Sequence, residues 1–232
     1  GLLKVTPRPI QIKPIDQSKI YDGTPLTSSE VEIIGMYDLV EPHVLVTVVE
    51  GSQTNVGIGE NIVIDAKVFD NDIDVSYNYS IEKEVGNLEI TPRPITIQTA
   101  SDTKVYDGTP LYNETYSIIS ELSLVLDHMI EIINHTEVTD VGVKLNDLNI
   151  IIKTQAHEDV TYNYEITFVY GDLEITPRPI TIQTASDIKV YDGTPLYNET
   201  YTMISELSLV FDHVIEIINH TEITDVGITH ND

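Results

Sequence analysis

The chain has 232 residues, of which 12 are basic and 38 are acidic, giving a formal net charge of −26. A surface this negative repels phosphate backbones and anionic lipid, which argues against a nucleic-acid partner and against membrane binding. Cysteine is absent, which excludes disulfides, thiolate zinc sites and cysteine nucleophiles. No apolar run of about 18 residues occurs, so we expect no membrane insertion by this segment.

The chain is built on one repeat of 85 residues, the spacing of Pro7, Pro92 and Pro177. Residues 86–147 and 171–232 match at 52 of 62 positions without insertion or deletion. Such regularity predicts a tandem array of similar domains. The predicted units are the end of a preceding unit's closing strand at 1–6, repeat domains at 7–91 and 92–176, and an incomplete third repeat domain at 177–232.

The repeat opens with a strand and a turn. Ile95–Ile97 alternates apolar and polar residues and is rich in β-branched side chains, which favours a strand. Asp107-Gly108 followed by Thr109-Pro110 predicts a chain reversal, because glycine accepts a positive φ and proline cannot continue a ladder.

The sequence pattern in the middle of the repeat predicts two more strands. Ser120–Val125 is compatible with a short helical turn but is too short for a long helix. Met129–Val138 alternates and is predicted to be a strand, a turn follows at Asp140–Gly142, and Leu148–Lys153 resembles a more fully buried strand.

The end of the repeat carries the clearest pattern. Every second residue from Tyr162 to Tyr170 is aromatic or isoleucine, which predicts a strand with one face on the core. Leu173 and Ile175 continue that face after a kink at Gly171-Asp172. Five or more strands and little helix favour an all-β fold, specifically small Ig-like β-sandwiches arranged in an elongated rod.

The joint between repeats is the stretch Thr91-Pro92-Arg93-Pro94. Two prolines one residue apart hold the backbone extended, so the joint is expected to be stiff. The arginine is expected to pair with carboxylates from both adjoining repeats; the alternative is an exposed residue that keeps the joint soluble. The predicted joint residues are Pro7, Arg8, Pro9, Pro92, Arg93, Pro94, Pro177, Arg178 and Pro179.

Three stretches recur in a fixed order in the repeats: ITPRPITI, KVYDGTPL and YNYEITFVYGDLEI. Together they resemble the MBG or YDG repeats of bacterial adhesins and other large secreted or cell-wall proteins. Lys83 departs from the pattern, since the second copy has Phe168 there. The resemblance implies a β-rich extracellular stalk or adhesive repeat on a bacterial surface, or in a secreted protein, with no catalytic residues and no cofactor. A β-grasp arrangement is the alternative fold.

The sequence gives little support for a metal site or a catalytic site. His128 with Glu131 and His135 on one strand face spans too much length for one ion. The acidic stretch Asp70–Asp74 lacks the glycine and distal glutamate of a calcium loop, so an acidic turn is favoured. No positioned nucleophile motif appears. We therefore expect no metal site, no cofactor and no enzymatic activity.

Tyrosines around the turn are the candidate ligand-contact residues. They are expected either to form an exposed platform for sugar rings or a protein partner, or to cap the sheet edge with buried rings. The candidates are Tyr106, Tyr112, Tyr116, Tyr191, Tyr197 and Tyr201.

Three functions are compatible with the sequence. The first is a structural stalk that projects another domain from a bacterial surface, with neighbouring repeats as the partners. The second is adhesion, in which each repeat binds host protein or glycan weakly and repetition multiplies the affinity. The third is homotypic association: Gly1–Thr6 and the incomplete third repeat could complete one another head to tail in a filament. A segment cut from a longer array is the simpler explanation, since Gly1–Thr6 cannot replace all 23 missing residues.

Overall fold

The computed structural model describes residues 1–232. It contains many strands and two short 3-10 turns, Ser76–Asn78 and Thr161–Asn163, but no α-helix, which confirms the all-β prediction. The short helical turn with which Ser120–Val125 is compatible does not form. Ser120 Oγ accepts from Thr96 N at 3.0 Å and donates to Leu122 O at 2.7 Å, which fixes this segment as a bend against the neighbouring strand.

The first repeat forms two sheets. Its strands are β1 (Arg8–Pro14), β2 (Gln17–Ile20), β3 (Val31–Ile33), β4 (Val44–Glu50), β5 (Gly57–Asp70), β6 (Ile73–Asp74), β7 (Tyr79–Lys83) and β8 (Gly86–Thr91). One sheet has the order β3-β1-β7 and the other β2-β8-β5-β4, with β6 paired to β5. The pairs β1–β7 and β2–β8 are parallel, whereas the other pairs are antiparallel.

The core of the first repeat lies between these sheets, as in a sandwich. Ile10 and Ile12 from β1 pack in one buried cluster with Val63 and Val68 from β5 and with Tyr79 from β7. Ile12 and Val68 are both 0% exposed. Because β1 and β5 belong to different sheets, this cluster holds the two sheets together.

The second repeat has a similar order of elements, except that the positions of β5 form two separate strands and β6 has no counterpart. Its strands are β9 (Arg93–Thr99), β10 (Asp102–Val105), β11 (Tyr116–Ile118), β12 (Met129–His135), β13 (Gly142–Leu145), β14 (Leu148–Lys153), β15 (Tyr164–Val169) and β16 (Asp172–Thr176). The sheets are β11-β9-β15, β10-β16-β13 and β12-β14. The strand prediction at Leu148–Lys153 is confirmed, and the one at Met129–Val138 is confirmed as far as His135.

The closing run of the second repeat begins later than its alternation predicts. Tyr162 lies in the 3-10 turn and is 58% exposed, whereas Asn163 is 0% exposed. The strand starts at Tyr164 and stops before Gly171, where the predicted kink separates β15 from β16. Leu173 and Ile175 of β16 are 0% and 1% exposed, as the pattern predicts.

The third repeat has only two strands, β17 (Ile182–Thr184) and β18 (Tyr201–Met203). Residues 187–190 and 214–220, which align with β10 and β12, are not strands. The strands that pair with β10 and β12 in the second repeat, β16 and β14, have no counterpart in the third. Without those partners the backbone cannot form its ladder, although the sequence is nearly the same.

The chain divides into two compact units that do not follow the repeat boundaries. The first contains Gly1–Gln98, Tyr116–Ile133 and Asn149–Val169; the second contains Thr99–Thr115, Asn134–Leu148 and Tyr170–Asp232. Each unit therefore contains one joint between consecutive repeats. No helix in the structure has the length and hydrophobicity needed to cross a membrane.

Candidate functional site: the joint between repeats

The Tyr-Asp-Gly motif is a turn closed by its own side chains. Asp22 Oδ1 accepts hydrogen bonds from Thr24 N at 2.9 Å and from Lys19 Nζ at 2.7 Å. Gly23 has a φ of +79°, a conformation that glycine adopts without steric cost. The hydrogen bond from Lys19, with help from Thr24, lowers the pKa of Asp22 to about 2. The turn thus fixes the position of the preceding residue, Tyr21.

Tyr21 points from this turn into the second repeat and is only 4% exposed. Its ring stacks on His128 with centroids 6.1 Å apart and meets Tyr164 edge to face at 5.8 Å. Burial raises the pKa of the Tyr21 hydroxyl. The first residue of the repeated motif is therefore a core residue of the joint.

The receiving side of the joint is held together by Tyr164. Its Oη accepts a hydrogen bond from Val125 N at 3.0 Å and lies 2.6 Å from His128 Nδ1. Tyr164 Oη and His128 Nδ1 are hydrogen-bonded, and the imidazole tautomer decides which of them donates. Burial lowers the pKa of His128, against the opposing effect of the adjacent Asp127, and burial raises the pKa of Tyr164. Both shifts favour the uncharged forms of His128 and Tyr164, so the joint packs uncharged rings.

Arg93 links the two repeats through backbone carbonyls. Its Nε donates to Ser123 O in the second repeat at 2.6 Å, and its Nη1 donates to Tyr21 O in the first at 3.2 Å. Both acceptors are backbone carbonyls, so the expected carboxylate acceptors are wrong. Carbonyls at turn ends have no ladder partner, so a planar guanidinium that satisfies one on each side fixes their relative position.

Asn163 forms a third contact across the same joint. Its Oδ1 accepts from Val56 N at 2.8 Å, and its Nδ2 donates to Asn55 Oδ1 at 3.1 Å. The residue is 0% exposed. The sequence analysis missed it, because the alternation placed Asn163 on the solvent face of a strand. The one available signal was a short polar residue directly before the buried Tyr164.

Close packing at the turn glycine completes the joint. A Cβ built on Gly23 would lie 2.8 Å from Val125 Cγ1 of the second repeat. The same distance separates a Cβ on Gly108 from Val210 Cγ1. Glycine is thus required in this motif both for its φ and for the approach of the next repeat.

The joint between the second and third repeats uses equivalent residues. Arg178 donates through Nε to Ser208 O at 2.6 Å and through Nη1 to Tyr106 O at 3.2 Å. Tyr106 stacks on His213 with centroids 5.8 Å apart. This joint lacks a counterpart of Tyr164, and Tyr106 is only partly buried. The exposure of the motif tyrosine thus depends on how much of the next repeat covers it.

Two other candidate tyrosines are exposed and lie on histidines. Tyr112 stacks on His135 at 4.6 Å and is 53% exposed, and Tyr197 stacks on His220 at 4.5 Å with the same exposure. His135 Nδ1 lies 3.0 Å from Glu114 Oε1. The remaining candidates are Tyr116, which is partly buried, Tyr191, which is 61% exposed, and Tyr201, which is 38% exposed.

Arg8 makes the same contact within the first repeat that Arg93 makes with Ser123 within the second. Arg8 Nε donates to Asp38 O at 2.7 Å, and its guanidinium lies 5.0 Å above the ring of Tyr37. His43 Nδ1 lies 2.7 Å from Tyr79 Oη, as His128 does from Tyr164 in the complete joint.

No group of three or more histidine, aspartate or glutamate side chains converges on a metal-sized site. In the acidic stretch Asp70–Asp74, Asn71 and Asp72 form the turn between β5 and β6, and Asp74 Oδ1 in β6 accepts from Ser76 N at 2.9 Å. Comparison with known proteins gave no match: no family model, no curated protein and no solved structure is similar to the chain.

Proposed function

We propose that this chain is a structural stalk segment of a bacterial extracellular surface or secreted protein, in which neighbouring repeats are locked together through the Tyr-Asp-Gly turn. The observation that carries this proposal is the burial of Tyr21, which is 4% exposed because His128 and Tyr164 of the next repeat cover it. The tyrosine, the glycine and the preceding lysine of the motif all stabilise either the turn or the joint. A motif of this kind is suited to fixing the spacing between neighbouring repeats. The bacterial surface setting is supported by the resemblance of the recurring motifs to MBG or YDG repeats.

We further propose that each complete repeat is a small Ig-like β-sandwich. The support is the pair of sheets in the first repeat and the single core between them, formed by residues such as Ile12 and Val68. Because the pairs β1–β7 and β2–β8 are parallel, both sheets are mixed, and mixed sheets are also compatible with the β-grasp alternative.

Solution scattering from arrays of one, two and three complete repeats tests the stalk. If strand length sets the unit length, each repeat adds a constant increment of about 35–45 Å to the maximum dimension. An increment that shrinks with repeat number would mean that the array folds back on itself, and it would refute the stalk.

A second candidate function, adhesion, is favoured by the exposed Tyr112–His135 and Tyr197–His220 stacks. One face of each tyrosine lies on a histidine, and about half of each side chain stays open to a sugar ring or a protein partner. Labelled chain should then bind host cells, matrix proteins or glycan arrays saturably, and Tyr112→Ala with Tyr197→Ala should abolish binding. Tyr162→Ala is the matched control, since Tyr162 is 58% exposed and lies outside both stacks.

A further inference from the structure

One sheet of the first repeat ends in an open edge strand. β4 (Val44–Glu50) is the last strand in the order β2-β8-β5-β4, and it pairs on one side only, with β5. Its other side presents main-chain N–H and C=O groups that can pair with a further strand. The register shift in this pair places the extra residue, Ile64, in β5, so no bulge interrupts the exposed edge.

The outward face of β4 is apolar along most of its length. Val44, Val46 and Val48 are 58%, 50% and 48% exposed. No charged residue occurs in the strand before Glu50, at its end. Natural proteins avoid open, uncharged edge strands of high β propensity, because such strands pair with other chains. The valines of β4 therefore have the character of an interface.

The equivalent strand of the second repeat is protected by a charge. In the register of the 85-residue repeat, β12 has Glu131 where β4 has Val46. Glu131 Oε2 lies 2.7 Å from Lys153 Nζ. An ion pair in the middle of an edge strand opposes pairing with another chain, since both charges would lose water. The third repeat also has a glutamate here, Glu216, so the first repeat alone lacks the charge.

Neighbouring repeats leave this edge accessible. The valines of β4 are exposed although the second repeat follows the first. Met129 and Ile133, on the outward face of β12, are 44% and 52% exposed although the first repeat precedes the second. Neither a preceding nor a following repeat therefore covers the strand at this position.

The sequence of β4 is complementary to itself in the antiparallel direction. When Thr47 lies opposite Thr47 of a second copy, all seven residues of each strand have a partner. Val46 then lies opposite the second copy's Val48, and Val44 lies opposite its Glu50. Outward-facing residues thus meet outward-facing residues, as the alternation of side chains in a sheet requires.

The charges beside β4 do not oppose this pairing. Lys67 and Asp65 of β5 lie next to Val46 and Val48, respectively. One row across the paired copies therefore contains Lys67, Val46, Val48 and Asp65, and the two-fold axis repeats the row in reverse. The two ends of each row carry opposite charges, and no like charges lie opposite each other. The contact is locally balanced although each copy has a net charge of −26.

We propose that β4 is a homotypic docking edge, through which two copies of this chain pair β4 to β4 in antiparallel orientation about a two-fold axis at Thr47. Main-chain hydrogen bonds supply the affinity, and the rows of valines set the register. Because the contact is isologous, it closes at a dimer. Two seven-residue strands share a length of only about 23 Å, so the dimer is weak. This inference goes beyond the proposed function, since a stalk requires no contact between chains.

Sedimentation of the 232-residue chain at concentrations up to about 500 µM tests the proposal. About 0.5 M salt screens the repulsion between two acidic copies. We expect a monomer–dimer equilibrium, which Val48→Lys should weaken at least about tenfold, because a lysine then lies opposite Val46 in a row that already ends at Lys67 of the other copy.

Ile133→Lys is the matched control. Ile133 has the position of Val48 in the second repeat, is 52% exposed and gains the same charge, but it lies on the protected strand β12. This variant should dimerise like the unaltered chain. Both substitutions are at exposed positions, so neither should change the circular dichroism spectrum of the repeats.

A disulfide test fixes the register. The chain has no cysteine, so Val46→Cys in one copy and Val48→Cys in another should cross-link on mixing, because antiparallel partners have Cα atoms within disulfide range. Val46→Cys mixed with Ile133→Cys should not cross-link. A chain that stays monomeric at about 500 µM, or dimers that both lysine variants weaken equally, would overturn the proposal. Dimers that Val48→Lys leaves intact, or equal cross-linking in the two mixtures, would show that another surface is responsible and would also overturn it.

Discussion

Tyr21 and His128 stack across the joint with ring centroids 6.1 Å apart and an interplanar angle of 28°, although they are 107 positions apart in the chain. The equivalent pair, Tyr106 and His213, stacks at 5.8 Å and 25°. The same contact thus recurs at the same place in two consecutive joints. A motif that repeats every 85 residues meets a histidine that repeats every 85 residues, and the joint is the place where the two coincide.

Truncation of Tyr21 should destabilise the first compact unit. Tyr21→Ala removes a side chain that is 4% exposed, and large aromatic-to-alanine changes at such positions cost about 3–5 kcal/mol. Chemical denaturation gives the free energy of unfolding. Tyr191→Ala is the matched control, since the same motif tyrosine is 61% exposed there and should cost less than about 0.5 kcal/mol. Equal losses at the two positions would mean that the turn, and not the joint, needs the tyrosine.

Alanine at the motif glycine separates turn strain from joint packing. Gly23 and Gly193 share a φ of +79°, so alanine at either costs about 1–2 kcal/mol in backbone strain. At Gly23 the new Cβ also meets Val125 Cγ1 at 2.8 Å, whereas at Gly193 it meets nothing within 4 Å. We expect Gly23→Ala to cost about 1–3 kcal/mol more than Gly193→Ala in the same denaturation experiment. Identical costs would show that the neighbouring repeat does not press on the turn.

Replacement of Asn163 should remove two hydrogen bonds between the repeats. Asn163→Ala removes the acceptor of Val56 N and the donor to Asn55 Oδ1, and each lost hydrogen bond costs about 0.5–1.5 kcal/mol. Hydrogen exchange at the Val56 amide should accelerate with the loss of stability. Asn78→Ala is the control, since this residue holds the same position in the first repeat but is exposed. Unchanged exchange at Val56 in Asn163→Ala would contradict the assigned contact.

Acidification should weaken the joint through His128. Burial lowers the pKa of this histidine in the folded joint, so the unfolded chain takes up the proton at higher pH than the folded one. Stability at this site is complete above the unfolded pKa of about 6.5 and falls as the pH drops towards the lower folded value. The pKa of Asp22 is lowered to about 2, so the stability that its carboxylate contributes is lost separately, at much lower pH.

The measurement is the free energy of unfolding at pH values of about 7.5 and 5, for the unaltered chain and for His128→Gln. The variant should lose part of the pH dependence. A slope that His128→Gln leaves unchanged would show that the carboxylates dominate this pH range.

Local patterns in the sequence predict the strands well. Leu148–Lys153 is a strand with the expected bounds, and Gly108 has the positive φ that Asp-Gly-Thr-Pro predicts. The alternation from Tyr162 to Tyr170 is real, but a 3-10 turn occupies its first two residues, Tyr162 and Asn163. Alternation reports which residues share a face and does not report where the extended backbone begins.

The joint was harder to predict, because its partners come from different repeats. Proline spacing predicts a joint at Pro92 and Pro94, and Arg93 between them hydrogen-bonds the carbonyls of Tyr21 and Ser123. Its acceptors are the carbonyls of Tyr21 and Ser123, and every residue has a carbonyl, so no side-chain pattern could identify them. The burial of Tyr21 likewise depends on the approach of His128, which only the folded chain reveals.

A distance distribution across the joint tests the central claim most directly. Because the chain has no cysteine, single cysteines at Lys67 and Thr167 can carry spin labels; both residues are exposed and lie in the first compact unit, one in each repeat. A fixed joint predicts one narrow distance distribution by pulsed electron paramagnetic resonance. Arg93→Gln, which loses the bridge between Tyr21 O and Ser123 O, should broaden it. A broad distribution in the chain with Arg93 intact would contradict the account, because the repeats would then move independently.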